Sequence, residues 1–324
     1  MTNHDEARIE DALRAAQRYY LQDATMDVIA KELKISRSTV SRLISYAKES
    51  GLVEIRVLPP SVQAHAVEQA LAERYSVKAH VVHVPSHTTP VERHQRTANH
   101  ASRVLNSVFS SDMILALSWG TMVREISEVL TSRTLTNCRV VLLNGIGNPR
   151  ARGEHYSSAI LTAFGEAYNA YIQRLPVPVF LDRPGTRDAL FAERSVQAAV
   201  AMQHDADVAL FSMGQVEDGV PSSPYRAGYF LGQEEFRSLR EDDVIGDLAT
   251  TFIRPDGSYA DVEMNSRTTG PDLDQFKSIP HRICAVSGHH KVPALRAALR
   301  GGLLTDLVID EITAMTCLHD DAVA

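Results

Sequence analysis

The chain has 324 residues, 44% of them hydrophobic and 23% charged, with a formal net charge of -7. These values are ordinary for a soluble globular protein of two unequal domains. Three cysteines, Cys138, Cys284 and Cys317, stand far apart with no CxxC pair, which argues against a disulfide framework or a zinc knuckle, and the overall charge has the wrong sign for a chain that wraps nucleic acid with its whole surface.

The N-terminus, MTNHDEARIEDALRAAQRYY, is studded with charge and lacks the apolar core of a signal peptide. No stretch reaches the roughly 18 apolar residues that a membrane span needs, so a cytoplasmic protein without membrane contact is expected. Glu6 to Leu21 predicts a first helix with Ile9, Leu13 and Ala16 or Gln17 on one face. Thr25 can cap a short second helix carrying Val28, Ile29 and Leu33. After the turn KIS, Ser36 is a good N-cap for a third helix reaching about Ser50, and Gly51 supplies the stop. Two helices joined by a three-residue turn form the helix-turn-helix pattern.

In the third helix Val40, Leu43, Ile44 and Ala47 fall on one stripe, suited to packing on the first two helices. The remaining surface presents Arg37, Ser38, Thr39, Ser41, Arg42 and Ser45, short hydrogen-bonding groups and two guanidiniums that can reach base edges or phosphates in a major groove. Between Ser36 and Lys48 there is no acid, and residues 1–58 hold nine basic and nine acidic side chains, so all of the negative charge lies further on. DNA affinity follows the contacting face rather than the molecular total. One weakly basic reading head binds poorly alone, so an oligomer on a two-fold-related site of double-stranded operator DNA is expected.

After Gly51, LVEIRVLPP alternates like a short wing strand, and Pro59 and Pro60 mark a boundary. The predicted domains are 1–58 and 59–324. In the second, short apolar runs alternate with helix-length segments: AHVVHV, a helix from Pro90 to about Phe109, MILALS, RVVLLNG, AYIQRL with VPVFL, DVALFSMG, RICAVSG and DLVID. The predicted fold class is therefore α/β: a small helix-turn-helix domain followed by a large, doubly wound, mostly parallel sheet. Ligands of such sheets bind beyond the carboxyl ends of the strands.

Four loops there stand out. ALSWGTMVREI offers Gly120, Thr121 and a helix N-terminus, VVLLNGIGNPR offers Gly145 and Gly147, ALFSMGQVEDG offers Gly214, and ICAVSGHHKVPALRAAL offers Gly288 and Lys291. Glycine lets backbone approach an anion, and lysine adds a point charge. Neither GxxxxGK[ST] nor GxGxxG is present, so no Walker-type or Rossmann dinucleotide site is expected. Adjacent His289 and His290 project differently and make a poor metal pair. No metal and no cofactor is expected.

IAKELKISRSTVSRLI, LSWGT, LPVPVFL, ADVALFSMG, GYFLGQEEFRSLREDDVIGDLATTFIRPDG, IPHRICAVSGHHK and ALRGGLLTDLVIDEITAMTCL, in that order, resemble the SorC family of bacterial sugar-responsive transcriptional regulators across nearly the whole length. The resemblance implies a helix-turn-helix domain joined to an effector domain folded like sugar-phosphate isomerases and CoA transferases. It also implies a homo-oligomer, usually a tetramer, whose DNA binding is changed by a sugar, polyol or sugar phosphate. Carried over, it makes Trp119, Gly120 and Thr121 the first ligand loop, assigns Gly214 to the third, and makes Asp247 a partner for ligand hydroxyls. Lys291 becomes the basic group at the ligand's phosphate or oxygen end. The chain departs from the family pattern in Ser287-Gly288-His289-His290 where a Gly-Gly pair is common, in Met122 where a hydroxyl is frequent, and in Ser158 where asparagine is common.

Two rival readings are open to the sequence. An isomerase-like enzyme acting through Lys291, Asp247 and the histidines would need a base–acid pair, and none stands at a compelling spacing. A purely architectural DNA protein leaves the large α/β region without a purpose. A regulator that is not an enzyme is the expectation.

Overall fold

The computed structural model describes residues 3–20, 22, 24–53, 62–85, 87–146, 153–216 and 232–319. The wing beyond Val53, the boundary prolines, Gly147 and the segment PYRAGYF lie outside the described residues.

The first three helices are α1 (Asn3–Tyr20), α2 (Met26–Leu33) and α3 (Arg37–Glu49). The caps expected from the sequence are in place. The Thr25 side chain accepts from the Val28 amide at 3.4 Å, and Ser36 accepts from the Thr39 amide at 3.1 Å. Gly51 ends α3 at φ +74°, the left-handed conformation that glycine adopts without strain. Val40, Ile44 and Ala47 are buried as predicted. The first helix is rotated from its expected face: Ala16 is buried as expected, but Leu13 is 39% exposed and Ala12 and Ala15 are buried in its place. Alanines let α3 approach α1 closely, and that packing overrides the leucine's greater hydrophobicity. In α2, Val28 is likewise exposed and Ile29 buried.

The second region contains α4 (Val62–Tyr75), β1 (Lys78–Val82), α5 (Pro90–Val108), β2 (Ile114–Leu117), α6 (Thr121–Glu128), β3 (Arg139–Leu142), α7 (Gly153–Tyr168) and β4 (Tyr171–Gln173). Next come α8 (Pro184–Phe191), α9 (Arg194–His204), β5 (Val208–Phe211), β6 (Met213–Gln215), α10 (Gln233–Glu241), β7 (Gly246–Leu248) and β8 (Thr251–Ile253). It ends with α11 (Leu273–Phe276), β9 (His281–Val286), α12 (Val292–Arg300), β10 (Asp306–Asp310) and α13 (Glu311–His319). Seven strands form one sheet in the order β1-β10-β9-β5-β2-β3-β4, every pair parallel. All residues of β2, β5 and β10 are buried, so both faces at the centre of the sheet are covered, and these strands read as unbroken apolar runs.

From β2 the chain steps outward to β3 and β4, then returns across β2 to β5 and proceeds to β9 and β10. The order reverses between β2 and β5, and a crevice opens at the carboxyl ends of the strands at such a reversal. The fold class expected from the sequence is the one found. Two details differ. VPVFL forms only isolated bridges, Ile146 to Pro178 and Phe180 to Thr268, because Pro176 and Pro178 have no N–H to donate to a ladder. A small antiparallel sheet, β6-β7-β8, stands beside the large one, so Gly214, expected in a loop, lies on a strand paired with the one that carries Asp247. Among the described residues, no helix is long and apolar enough to cross a membrane.

Candidate functional site

On α3, Arg37, Ser38, Ser41, Arg42 and Ser45 are exposed, and Thr39 is half-buried beside them. The buried stripe fixes the helix against α1 and α2, so these side chains share the outward face. The helix start is stiffened by hydroxyl contacts of Ser36 with Ser38 and Thr39, each at 2.8 Å. Arg42 lies along the helix with Nε 3.5 Å from the Ser38 carbonyl, leaving its terminal nitrogens outward. Arg37 pairs with Asp27 at 3.6 Å, both well exposed, a pair too solvated to hold the arginine from a phosphate.

The candidate ligand loops of the second region follow β2, β3, β5 and β9, hence one edge of a parallel sheet. Gly120 is extended, caps α6 with no side-chain hydrogen bond, and has open space where a Cβ would stand. The N–H groups of the first turn of α6 and the exposed Thr121 face that space. Trp119 points inward instead. It is 2% exposed, its indole Nε1 donates to the Gly145 carbonyl at 2.9 Å, and its ring meets Tyr156 edge-on at 6.1 Å. The Gly145 amide in turn donates to Thr269 Oγ1 at 3.2 Å.

Asp247 lies opposite Gly214 in the small sheet and is 2% exposed. A Cβ on residue 214 would overlap the Asp247 carboxylate, so glycine is what lets that carboxylate lie across β6. Its Oδ2 accepts from the Thr250 amide at 2.7 Å. Ala249 and Thr250 form the two-residue turn between β7 and β8, with φ +45° and +72°. Two positive-φ residues favour Asn-Gly; here the Asp247 contact and the Thr268 hydroxyl, which donates to the Thr250 carbonyl at 2.8 Å, hold the strained pair.

Lys291 ends a short 3-10 turn (His289–Lys291) after β9, and its Nζ donates to the Met213 carbonyl at 2.5 Å. Burial pushes the ammonium below the usual lysine range, with the Asp247 carboxylate and Cys284 pulling the other way. Burial likewise pushes the Cys284 thiol up, opposed by Lys291. The structure thus gathers Gly214, Asp247 and Lys291 into one electrostatic unit, while Gly120 and Thr121 flank the same strand ends. Gly288, at φ +107°, bends the turn, and a Cβ there would meet the His290 ring at 2.6 Å.

Three features escaped the sequence reading. Asn144, two residues beyond the end of β3, is fully buried, yet neither Nδ2 nor Oδ1 has a hydrogen-bond partner among the described residues. Ser212, directly after β5, also buries an unpartnered hydroxyl. A buried polar group left unpaired costs about 1–3 kcal/mol, so both mark places where a polar ligand atom would be welcome. A polar residue immediately beyond an apolar strand is the signal that would have found them. Third, a cleft of about 420 Å³ opens between α5, α6 and the Ser287–His290 turn, lined by Arg93, His94, Glu125, Ser287, His289 and His290 among others. Burial pushes the His94 imidazole down, assisted by Lys291 and opposed by the Thr121 backbone and Glu125. Among the described residues, no group of three or more His, Cys, Asp or Glu side chains is placed to hold a metal ion.

Comparison with known proteins places this arrangement. The family described as a putative sugar-binding domain matches residues 60–319. The deoxyribonucleoside regulator of Bacillus subtilis (strain 168) is 32% identical over 317 residues, covering 98% of this chain and 99% of that protein. The sorbitol operon regulator of Klebsiella pneumoniae is 27% identical over 318 residues, 97% of this chain and 98% of that protein. Among solved structures, a domain of a possible sugar-binding transcriptional regulator from Arthrobacter aurescens TC1 is 36% identical and superimposes with a TM-score of 0.75, covering 81% of this chain and all of that one. The full-length sorbitol operon regulator from Klebsiella pneumoniae shares the fold at a TM-score of 0.72, with 24% identity over 96% of this chain and 99% of that one.

Proposed function

The chain belongs to the SorC family of transcriptional regulators, whose members carry this sugar-binding domain, and from that premise we propose a DNA-binding regulator of a carbohydrate or polyol operon, controlled by a small effector at the strand ends. The observation that carries the reading is the union in one chain of an exposed α3 surface without an acid from Arg37 to Lys48 and a crevice at the order reversal of a parallel sheet.

In this reading Arg37, Ser38, Thr39, Ser41, Arg42 and Ser45 meet operator DNA, the arginines on phosphates or guanine edges and the hydroxyls as register contacts. Gly120, Thr121, Gly214, Asp247 and Lys291 receive the sugar, polyol or sugar phosphate, with Asn144 and Ser212 as further hydrogen-bonding partners. Trp119 and Gly145 support the pocket from behind. The DNA-binding domain spans residues 1–58 and the effector domain 59–324. The working form is a homo-oligomer, a tetramer, because a single neutral reading head is too weak alone and paired half-sites need paired heads. The effector acts by preferring one arrangement of the heads, and shifts it only by its differential affinity for the two.

Binding rather than catalysis is the favoured role of the site. The Lys291 ammonium is engaged by the Met213 carbonyl and one Asp247 oxygen by the Thr250 amide, so neither is presented as a free acid or base. The test is fluorescence anisotropy of the full chain with DNA from upstream of its own gene, titrated with sugars, polyols and their phosphates. One ligand class should alter operator affinity, and Lys291→Ala should abolish that response with operator binding retained. Turnover of a sugar phosphate, lost in Asp247→Ala, would overturn the reading in favour of an enzyme.

A further inference from the structure

Arg93, at the end of the first turn of α5, carries a side chain only 14% exposed that lines the cleft beside the Ser287–His290 turn. A guanidinium has five N–H donors in a planar fork. Here Nε is buried and has no hydrogen-bond partner among the described residues, whereas the terminal nitrogens are not among the buried unpartnered atoms. Its nearest carboxylate, Asp310, is fully buried and lies 3.9 Å from Nη1, beyond hydrogen-bond distance. Both Asp310 oxygens are already held by Thr313, through its amide at 3.0 Å and its hydroxyl at 2.6 Å. Asp310 therefore offsets the charge of Arg93 but leaves Nε without a partner. A buried N–H left unpaired is costly to fold around, and an acceptor that reached it would come from the cleft that Arg93 lines.

The surroundings say what that group is. Ser287, His289 and His290 border the space opposite Arg93, His94 lies beside it, and Glu125 is the one acid among the lining residues. Lys291 acts on His94 through space, so the cleft adjoins the Asp247–Lys291 unit. Its volume falls within the roughly 300–1,000 Å³ usual for small-molecule sites. A planar fork with imidazoles and a hydroxyl around it suits an oxyanion with several acceptor oxygens.

We propose that Arg93 is a specificity-determining residue of the effector site: its guanidinium binds the phosphate group of a phosphorylated sugar or polyol in the cleft between α5, α6 and the Ser287–His290 turn. The proposal rests on the reading of the strand ends as the effector site and adds a residue from α5, an element that reading does not use. Arg93 lies on a helix outside every glycine loop, and its role is visible only once the fold brings α5 against β10.

The experiment uses the full chain in a chloride buffer free of oxyanions. Binding of orthophosphate, ribose 5-phosphate, ribose and ribonate is measured by calorimetry and by the shift in melting temperature, for the wild type, Arg93→Met and Arg93→Lys. Orthophosphate and ribose 5-phosphate should bind the wild type saturably, and Arg93→Met should weaken both at least about tenfold, in line with the loss of a bidentate charged pair. Arg93→Lys should fall between, since it keeps the charge and loses the fork; it also serves if the methionine variant fails to fold. Unchanged phosphate binding in Arg93→Met, or none in the wild type, would overturn the proposal. Tighter, Arg93-dependent binding of ribonate than of ribose 5-phosphate would overturn the phosphate assignment in favour of a carboxylate. No operator enters this measurement, so its outcome decides the Arg93 site independently of the regulatory reading, which stands or falls on the separate anisotropy titration.

Discussion

The indole N–H of Trp119 donates to the carbonyl of Gly145 at 2.9 Å, and this one bond ties the loop after β2 to the loop after β3. Gly145 is in turn held by Thr269, whose hydroxyl also reaches the Pro178 carbonyl at 2.8 Å. Three segments distant in sequence are thus fixed around the order reversal of the sheet. The first helix turn of α6, with its open N–H groups, inherits its position from that clamp.

Trp119→Phe keeps an aromatic ring against Tyr156 and removes the bond. The Gly145 carbonyl then loses a buried donor, so stability should fall by about 1–3 kcal/mol, read by urea denaturation. Effector affinity should weaken as well, while operator binding by the unliganded protein should hold. Effector affinity equal to wild type would show that the clamp does not set the pocket.

Arg42→Ala removes a guanidinium from the exposed face of α3 without touching its buried stripe. Operator affinity should drop, and the slope of log affinity against log salt should shrink by about one unit if the contact is to a phosphate. The melting temperature and the effector-induced shift should stay as in the wild type. The anisotropy titration at several salt concentrations decides between a phosphate contact and a base contact, because a base contact would relax sequence preference instead.

How far the sequence led can be argued from particular residues. Thr25, Ser36 and Gly51 announced the ends of their helices because capping is local chemistry. The central strands were legible because a parallel strand buried on both faces is a plain apolar run. Ala16 is buried as expected, but Leu13 was misread because close packing against α3 selects Ala12 and Ala15 over the larger side chain, and only the assembled helices reveal that preference. Strands β6, β7 and β8 have three residues each, too short for any periodicity to register. Gly120, Thr121, Gly214, Asp247 and Lys291 were found through glycine loops and family likeness. Arg93, His94 and Asn144 were missed because their burial is made by elements far away in the chain.

Asn144→Leu tests whether the unpaired amide is kept for a ligand. The new side chain has the same branching and no polar atoms, so the penalty of two unpartnered atoms disappears. Stability should be unchanged or raised, by up to about 2 kcal/mol, whereas the effector-induced change in operator binding should be lost. A stabilised variant with a full effector response would show that Asn144 does not meet the ligand.

Lys291→Met gives a pH-dependent outcome whose sign follows from burial. The folded state holds the Lys291 ammonium below its ordinary value of 10.5, so between the folded value and 10.5 the unfolded chain binds more protons at this residue. Stability therefore rises with pH through that window, and below it the cost of burying the charged form is fully present. In Lys291→Met this contribution vanishes. The difference in stability between wild type and variant should thus move toward the wild type as pH climbs from 7 to 10, read by denaturant melts at each pH. A difference that stays flat across the range would mean that the ammonium is not held in the low-dielectric environment formed by Met213, Asp247 and Cys284, and would remove the electrostatic basis for its effector role.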